Sequence, residues 1–159
     1  LNQRRTNGHA NTRNILGVIH AGSFAMFLRF VVSDRHAAST QPMGIFQAAY
    51  RLRDRGKLDI LDEIAHARIV GWFEGHLAIP TRFSRSRRAQ AHPKAICWFK
   101  SEAIEHIRRV RLLATMLERY TGMIRILRTK KPGYVVYEDR HQVAAVPFRD
   151  TAMPSPGRG

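Results

Sequence analysis

The sequence predicts an α+β domain: a short N-terminal strand, three helices, then a C-terminal three-stranded antiparallel meander, forming one sheet packed against the helices. Three observations predict it. Apolar residues make up 44% of the 159-residue chain, enough to offset chain entropy in one core but not to build two. Their spacing is helical through the middle of the chain and turns extended after Gly122. The run Phe27-Leu28-Arg29-Phe30-Val31-Val32, aromatic and β-branched, reads as a strand ahead of all the helices.

Met26 stands directly before that strand, whereas Leu1 is not an ordinary initiator. Residues 1–25 are therefore expected to be a poorly ordered leader or start-site extension. Residues 26–149 form the single domain, with a mobile basic loop at 81–93. Residues 150–159, rich in Pro and Gly, form a disordered tail.

After a loop near Ser33-Asp34, Pro42 suits a first helical turn, Phe46, Ala49, Tyr50 and Arg53 share a face, and Gly56 supplies a stop. The first helix thus runs from about Pro42 to Arg55. Asp59 caps a second helix whose apolar stripe is Leu61, Ile64, Ala65, Ile69, Trp72 and Phe73. Gly71 and Gly75 weaken its second half, and it ends before Ile79-Pro80, because a residue preceding proline is pushed out of helical geometry. Pro93 opens a third helix reaching Gly122, with Ile96, Phe99, Ala103, Ile107, Val110, Ala114 and Leu117 on one side. Three strands follow: Met123 to Arg128, Tyr134 to Tyr137, and Val143 to Val146. Lys131-Pro132-Gly133-Tyr134 fits a type II turn between the first two, and Glu138 to His141 joins the last two.

Charge is the strongest functional signal. Of fifteen net positive charges, eleven fall between Arg82 and Lys131, where fourteen Lys/Arg meet only Glu102, Glu105 and Glu118. Clustered cations favour polyanionic partners. Arg82, Arg85, Arg87 and Arg88 lie within seven residues without an acid, and the planar guanidinium fork suits phosphate oxygens. Lys94, Lys130 and Lys131 extend this set, as do Arg108, Arg111 and Arg119 on the third helix. Arg109 is read instead as the ion-pair partner of Glu105, four residues before it. Phe83 and His92 offer stacking surfaces for unpaired bases, which tilts the expectation toward RNA or single strands. The reading is a small, strongly basic protein contacting nucleic acid through phosphate. An adaptor or inhibitor docking on an acidic protein is the other binding reading, and the oligomeric state is left open.

Other chemistries lack their signatures. There is no G-x-x-x-x-G-K-[ST] loop, no G-x-G-x-x-G after a strand and no G-x-S-x-G elbow. No cofactor is expected. Glu63 and His66 have the E-x-x-H spacing of carboxylate-bridged metal bundles, but without a second such pair they read as a solvated helix surface, and no metal is expected. The lone Cys97, inside Ala95-Ile96-Cys97-Trp98-Phe99, is assigned to the core and to a reduced, cytoplasmic compartment. The apolar stretch Ile15 to Ile19 is interrupted by His20, short of the roughly 20 residues of a membrane span, so no membrane association is expected.

One enzymatic reading needs few signature residues. Arg125, Arg128, Lys130, Tyr134, Tyr137, Glu138 and His141 sit on or near the meander, an inventory suited to metal-independent RNA cleavage. In that reading Arg125 and Arg128 clamp the phosphorane, and Tyr137 and His141 move protons. Helices followed by an antiparallel meander resemble RelE/ParE-type toxins in layout, which implies ribonuclease activity as the alternative function.

Overall fold

The computed structural model describes residues 25–33, 42–80 and 95–148. The leader, the arginine-rich segment with Lys94, and the tail lie outside the described residues. The elements are β1 (Phe27–Val32), α1 (Ile45–Asp54), α2 (Ile60–His76), β2 (Ile96–Lys100), α3 (Ile104–Thr121), β3 (Ile124–Thr129), β4 (Tyr134–Glu138) and β5 (Gln142–Val146). The class is α+β, with three helices and a five-stranded antiparallel sheet ordered β3-β1-β2-β5-β4.

Two expectations are corrected. Residues 96–100 are a strand, not the start of the third helix. Ile96, Phe99 and Ala103 fit a helical stripe, yet a short apolar run fits a buried strand equally, and its β-branched and aromatic side chains decide the outcome. A turn closed by the Ala103 N–H on Lys100 O at 3.0 Å then separates β2 from α3. The three C-terminal strands are not a meander either. Only β4 and β5 form a hairpin; β3 pairs with β1 along its whole length, from Phe27–Thr129 to Val32–Ile124.

This order imposes a strong coil. The sheet is antiparallel throughout, so β3 and β4 run in the same direction at opposite edges. In a flat sheet those edges lie about 19 Å apart at roughly 4.8 Å per spacing. The five steps from Thr129 to Tyr134 reach at most about 17 Å, and the chain must also travel back along the strand direction. Only a sheet curled upon itself lets β4 continue from β3. Gly133 makes the entry into β4 a tight one: its φ is +129°, and a Cβ there would sit 2.2 Å from O of Val146, the β5 partner of Tyr134.

Curling buries β1 on both faces. Leu28, Phe30 and Val32 join the helix-covered core with Ile45 of α1, Phe73 of α2 and Leu113 and Leu117 of α3. Val31 packs on the other face with Trp98, Leu127 and Val143. This explains why β1 reads as a nearly continuous apolar run rather than an alternating one.

Helix boundaries follow local chemistry. Gly56, at φ +59°, ends α1, and Asp59 caps α2 by accepting the Asp62 N–H at 2.9 Å. The stripe of α2 is nevertheless rotated from the expected one. Leu61 and Ile64 are 74% and 53% exposed, while Asp62, His66, Val70 and Phe73 are buried. A polar clamp sets that rotation: Asp59 and Asp62 both hold the Arg119 guanidinium of α3, and the Tyr120 hydroxyl donates to Asp62.

Two glycines give opposite expectations. Gly133→Ala places a methyl group against backbone at a φ that L residues avoid, and should cost more than about 2 kcal/mol in urea unfolding. Gly75→Ala, with open space around its Cβ inside α2, should gain about 0.5–1 kcal/mol. Comparable stabilities for the two variants would contradict the close approach at Gly133.

Candidate functional site

Several elements meet at one end of the sheet. Phe27 pairs with both Thr129 and Lys100, which places the end of β3, the end of β2 and the first turn of α3 together. The Ser101 N–H donates to Met26 O and the Lys100 N–H to His141 O, both at 2.8 Å, bringing the β4–β5 turn to the same end. The last turn of α2 arrives there too, because His106 Nε2 donates to His76 O at 2.9 Å.

Four of the expected phosphate contacts belong to these elements. Lys130 and Lys131 follow β3, their backbone fixed by Thr129 Oγ1, which accepts the Lys131 N–H at 3.0 Å. Arg108 and Arg111 are exposed in the second turn of α3. Arg82, Arg85, Arg87, Arg88 and Lys94 lie outside the described residues.

The three acids of this stretch are held locally, and Lys100 takes its partner from outside it, Glu138 at 2.7 Å. Glu102 accepts from Ser101 Oγ at 3.0 Å, and Glu118 accepts the Ile124 N–H at 3.0 Å. Glu105 takes Arg109 at 2.7 Å, the expected ion pair, and Arg108 at 3.7 Å. The Arg109 hydrogen bond, more than its charge, holds the Glu105 carboxyl below the usual carboxylate range. Arg109 also lies 4.7 Å over the Trp72 ring. Arg119, expected to be free for a partner, is committed to Asp59 and Asp62. Arg111, Arg125, Arg128 and Lys131 have no acidic partner among the described residues.

The ribonuclease inventory is dispersed. β3 and β4 are at opposite edges of the sheet, so Arg125 and Arg128 do not adjoin the strand of Tyr137, contrary to expectation. Three residues apart in a strand, Arg125 and Arg128 also face opposite sides. The Tyr137 hydroxyl donates to Asp139 Oδ2 at 2.9 Å, and burial, reinforced by that carboxylate, pushes its pKa up. Burial alone would raise Asp139. The backbone N–H groups of His141 and Gln142, at 2.7 and 2.9 Å, together with the Gln142 amide and Tyr137, outweigh it and hold the carboxyl below its ordinary value. Asp139 thus caps the β4–β5 turn. His141 stacks on His106 with ring centroids 4.1 Å apart; burial first, then His106, lowers its pKa.

Two other residues depart from their expected settings. Cys97, expected in the core, is exposed, because β1 and β2 separate beside it. His66, expected on a solvated surface, is buried and its Nε2 has no hydrogen-bond partner among the described residues, while Glu63 of the same E-x-x-H spacing is exposed. Among the described residues no group of three His, Cys, Asp or Glu has metal-binding geometry, and no helix is long and apolar enough to cross a membrane. Compared with known proteins, the chain matches no family, no curated protein and no solved structure.

Burial depresses the pKa of His66 as well as of His141. Both therefore favour the neutral imidazole in the folded state. Their contribution to stability is complete above the ordinary histidine pKa of about 6.5 and is lost as pH falls through the lower folded values. The urea midpoint should drop between pH 7.5 and 5.5, and His66→Gln with His141→Gln should flatten that dependence. An unchanged slope in the double variant would remove these two histidines as its source.

Proposed function

We propose that this domain binds nucleic acid, chiefly through phosphate, at the end where α3 begins and β3 finishes. The observation that carries the reading is the surplus of fourteen Lys/Arg over three acids between Arg82 and Lys131, the three acids being occupied locally by Ser101, Arg108, Arg109 and the Ile124 N–H. The described residues hold sixteen Lys/Arg against ten Asp/Glu, so most of the surplus of fifteen belongs to residues outside them. Arg82, Arg85, Arg87, Arg88 and Lys94 are the proposed main contacts, supported by Arg108, Arg111, Lys130 and Lys131. Phe83 and His92 favour RNA or single strands through stacking.

The RelE/ParE-like ribonuclease alternative draws no support from the placement of Arg125, Arg128, Tyr137 and His141. Docking on an acidic protein would use the same cations and is separated by experiment.

Fluorescence anisotropy with labelled single-stranded RNA and duplex DNA across salt concentration tests the proposal. On duplex DNA, log K should fall against log salt with a slope of about −4 to −5, and more shallowly on single strands. Replacing Arg85, Arg87 and Arg88 with Ala should weaken binding and flatten the slope; Arg108→Ala with Arg111→Ala should flatten it by up to about 2. Absence of binding at low salt, or slopes that neither variant changes, would remove nucleic acid as the partner of this surface.

A further inference from the structure

β1 and β2 pair only through Phe27–Lys100 and Leu28–Phe99. Beyond those two pairs β1 takes another neighbour: Val31 bridges Gly44, and the Val32 N–H donates to Met43 O at 2.9 Å. Residues 42–44 therefore hold the two strands apart, and beneath α1 and α2 a cavity of about 350 Å3 opens at the separation. Its apolar wall includes Phe30, Phe46, Phe73 and Phe99, and Arg29 and Cys97 reach it from the two separated strands.

Arg29 is the only cation among the described residues that line this cavity. Its Nη2 donates to Pro42 O at 3.3 Å, while Nη1 is buried with no hydrogen-bond partner among the described residues. A guanidinium does not deprotonate in a protein, so its charge and its unused donors persist at a cost. Three nearby groups of the chain fail to serve as its counterion. Although part of its side chain is open to solvent, the protein packed around the Cys97 thiol desolvates it and pushes its pKa up despite the adjacent Arg29, leaving it protonated at neutral pH. Glu74 is exposed at the rim, where its carboxylate accepts the Tyr50 hydroxyl at 3.5 Å. Asp139 is occupied by Tyr137, His141 and Gln142.

We propose that the cavity binds a small carboxylate with an apolar body, its head group on Arg29 and its body against the phenylalanine wall. A carboxylate accepts from the planar guanidinium fork in a geometry that no neutral polar group matches. At roughly 30 Å3 per non-hydrogen atom in a liquid, the volume accommodates about ten to twelve such atoms, the size of octanoate or 3-phenylpropionate. The first turn of α1, at Ile45 to Gln47, lines the mouth and has no side-chain cap from Gly44, so its N–H groups add to the preference for an anion. Its cation, Arg29, is not among the proposed phosphate contacts, so the inference does not rest on that reading.

Cys97 is the chain's only cysteine, so the rate at which the intact protein reacts with iodoacetamide reports on this cavity alone. Octanoate or 3-phenylpropionate at about ten times its dissociation constant should slow that reaction about tenfold, whereas octylamine and 1-octanol should not. Arg29→Met should abolish protection by the acids while Cys97 remains reactive. Gln47→Glu, an exposed change at the cavity mouth that leaves the core intact, should weaken acid protection several-fold, and Gln47→Lys should strengthen it; these two keep the test decisive if Arg29→Met does not fold. Equal protection by octylamine, protection indifferent to all three substitutions, or no protection by either acid at about 10 mM, where millimolar affinity would already register, would overturn the proposal.

Discussion

The fold depends on one covalent constraint: four residues, Lys130 to Gly133, join strands at opposite edges of a five-stranded sheet. The sheet must curl to satisfy it, and the connection ends in the close passage of Gly133 against Val146 O on β5. Curling encloses a second small core around Val31, Trp98, Leu127 and Val143, so β1 is packed on both faces. It accompanies the separation of β1 from β2 past Leu28 and Phe99, and the cavity lies at that separation. A regular meander would pair β3 with β4 and remove the reason for the curl.

Polar side chains fix the orientation of what packs on this sheet. The Asp59, Asp62, Arg119 and Tyr120 clamp joins the start of α2 to the end of α3, and the His106–His76 contact joins their other ends. Between these two ties α2 has one permissible rotation, which buries Asp62 and His66 and leaves Leu61 and Ile64 in solvent. Asp139 does similar work in the β4–β5 turn, collecting donors from Tyr137, His141 and Gln142. These roles withdraw Arg119, Tyr137 and His141 from the residues available to a partner, and they concentrate the free charge of the described chain elsewhere.

What the sequence made legible was local. The strand at Phe27–Val32, the Asp59 cap, the Gly56 stop, the end of α2 before Pro80 and the β4–β5 hairpin each depend on residues a few positions apart. The pairing of β3 with β1 depends on residues about a hundred positions apart, and nothing in Ile124–Thr129 distinguishes β1 from β4 as a partner. Ile96–Lys100 was ambiguous for a different reason: its apolar spacing satisfies a helix and a strand alike, and only the Ser101-Glu102-Ala103 turn separates it from α3. Of the basic residues, Arg108, Arg111, Lys130 and Lys131 were legible as exposed cations because acids are scarce around them. Arg29 was not, because a single arginine in an apolar strand carries no periodic signal, and the cavity it lines is assembled from five separate elements.

The pairing of β3 is the point on which this account turns, and nuclear Overhauser contacts between backbone protons across the strands measure it directly. The account predicts cross-strand contacts between Arg29 and Leu127 and between Val31 and Arg125, and between Val135 and Ala145, with none between residues 124–129 and 134–138. A ladder of contacts linking Ile124–Thr129 to Tyr134–Glu138 would contradict it, because the sheet would then be a meander with neither the curl nor the cavity.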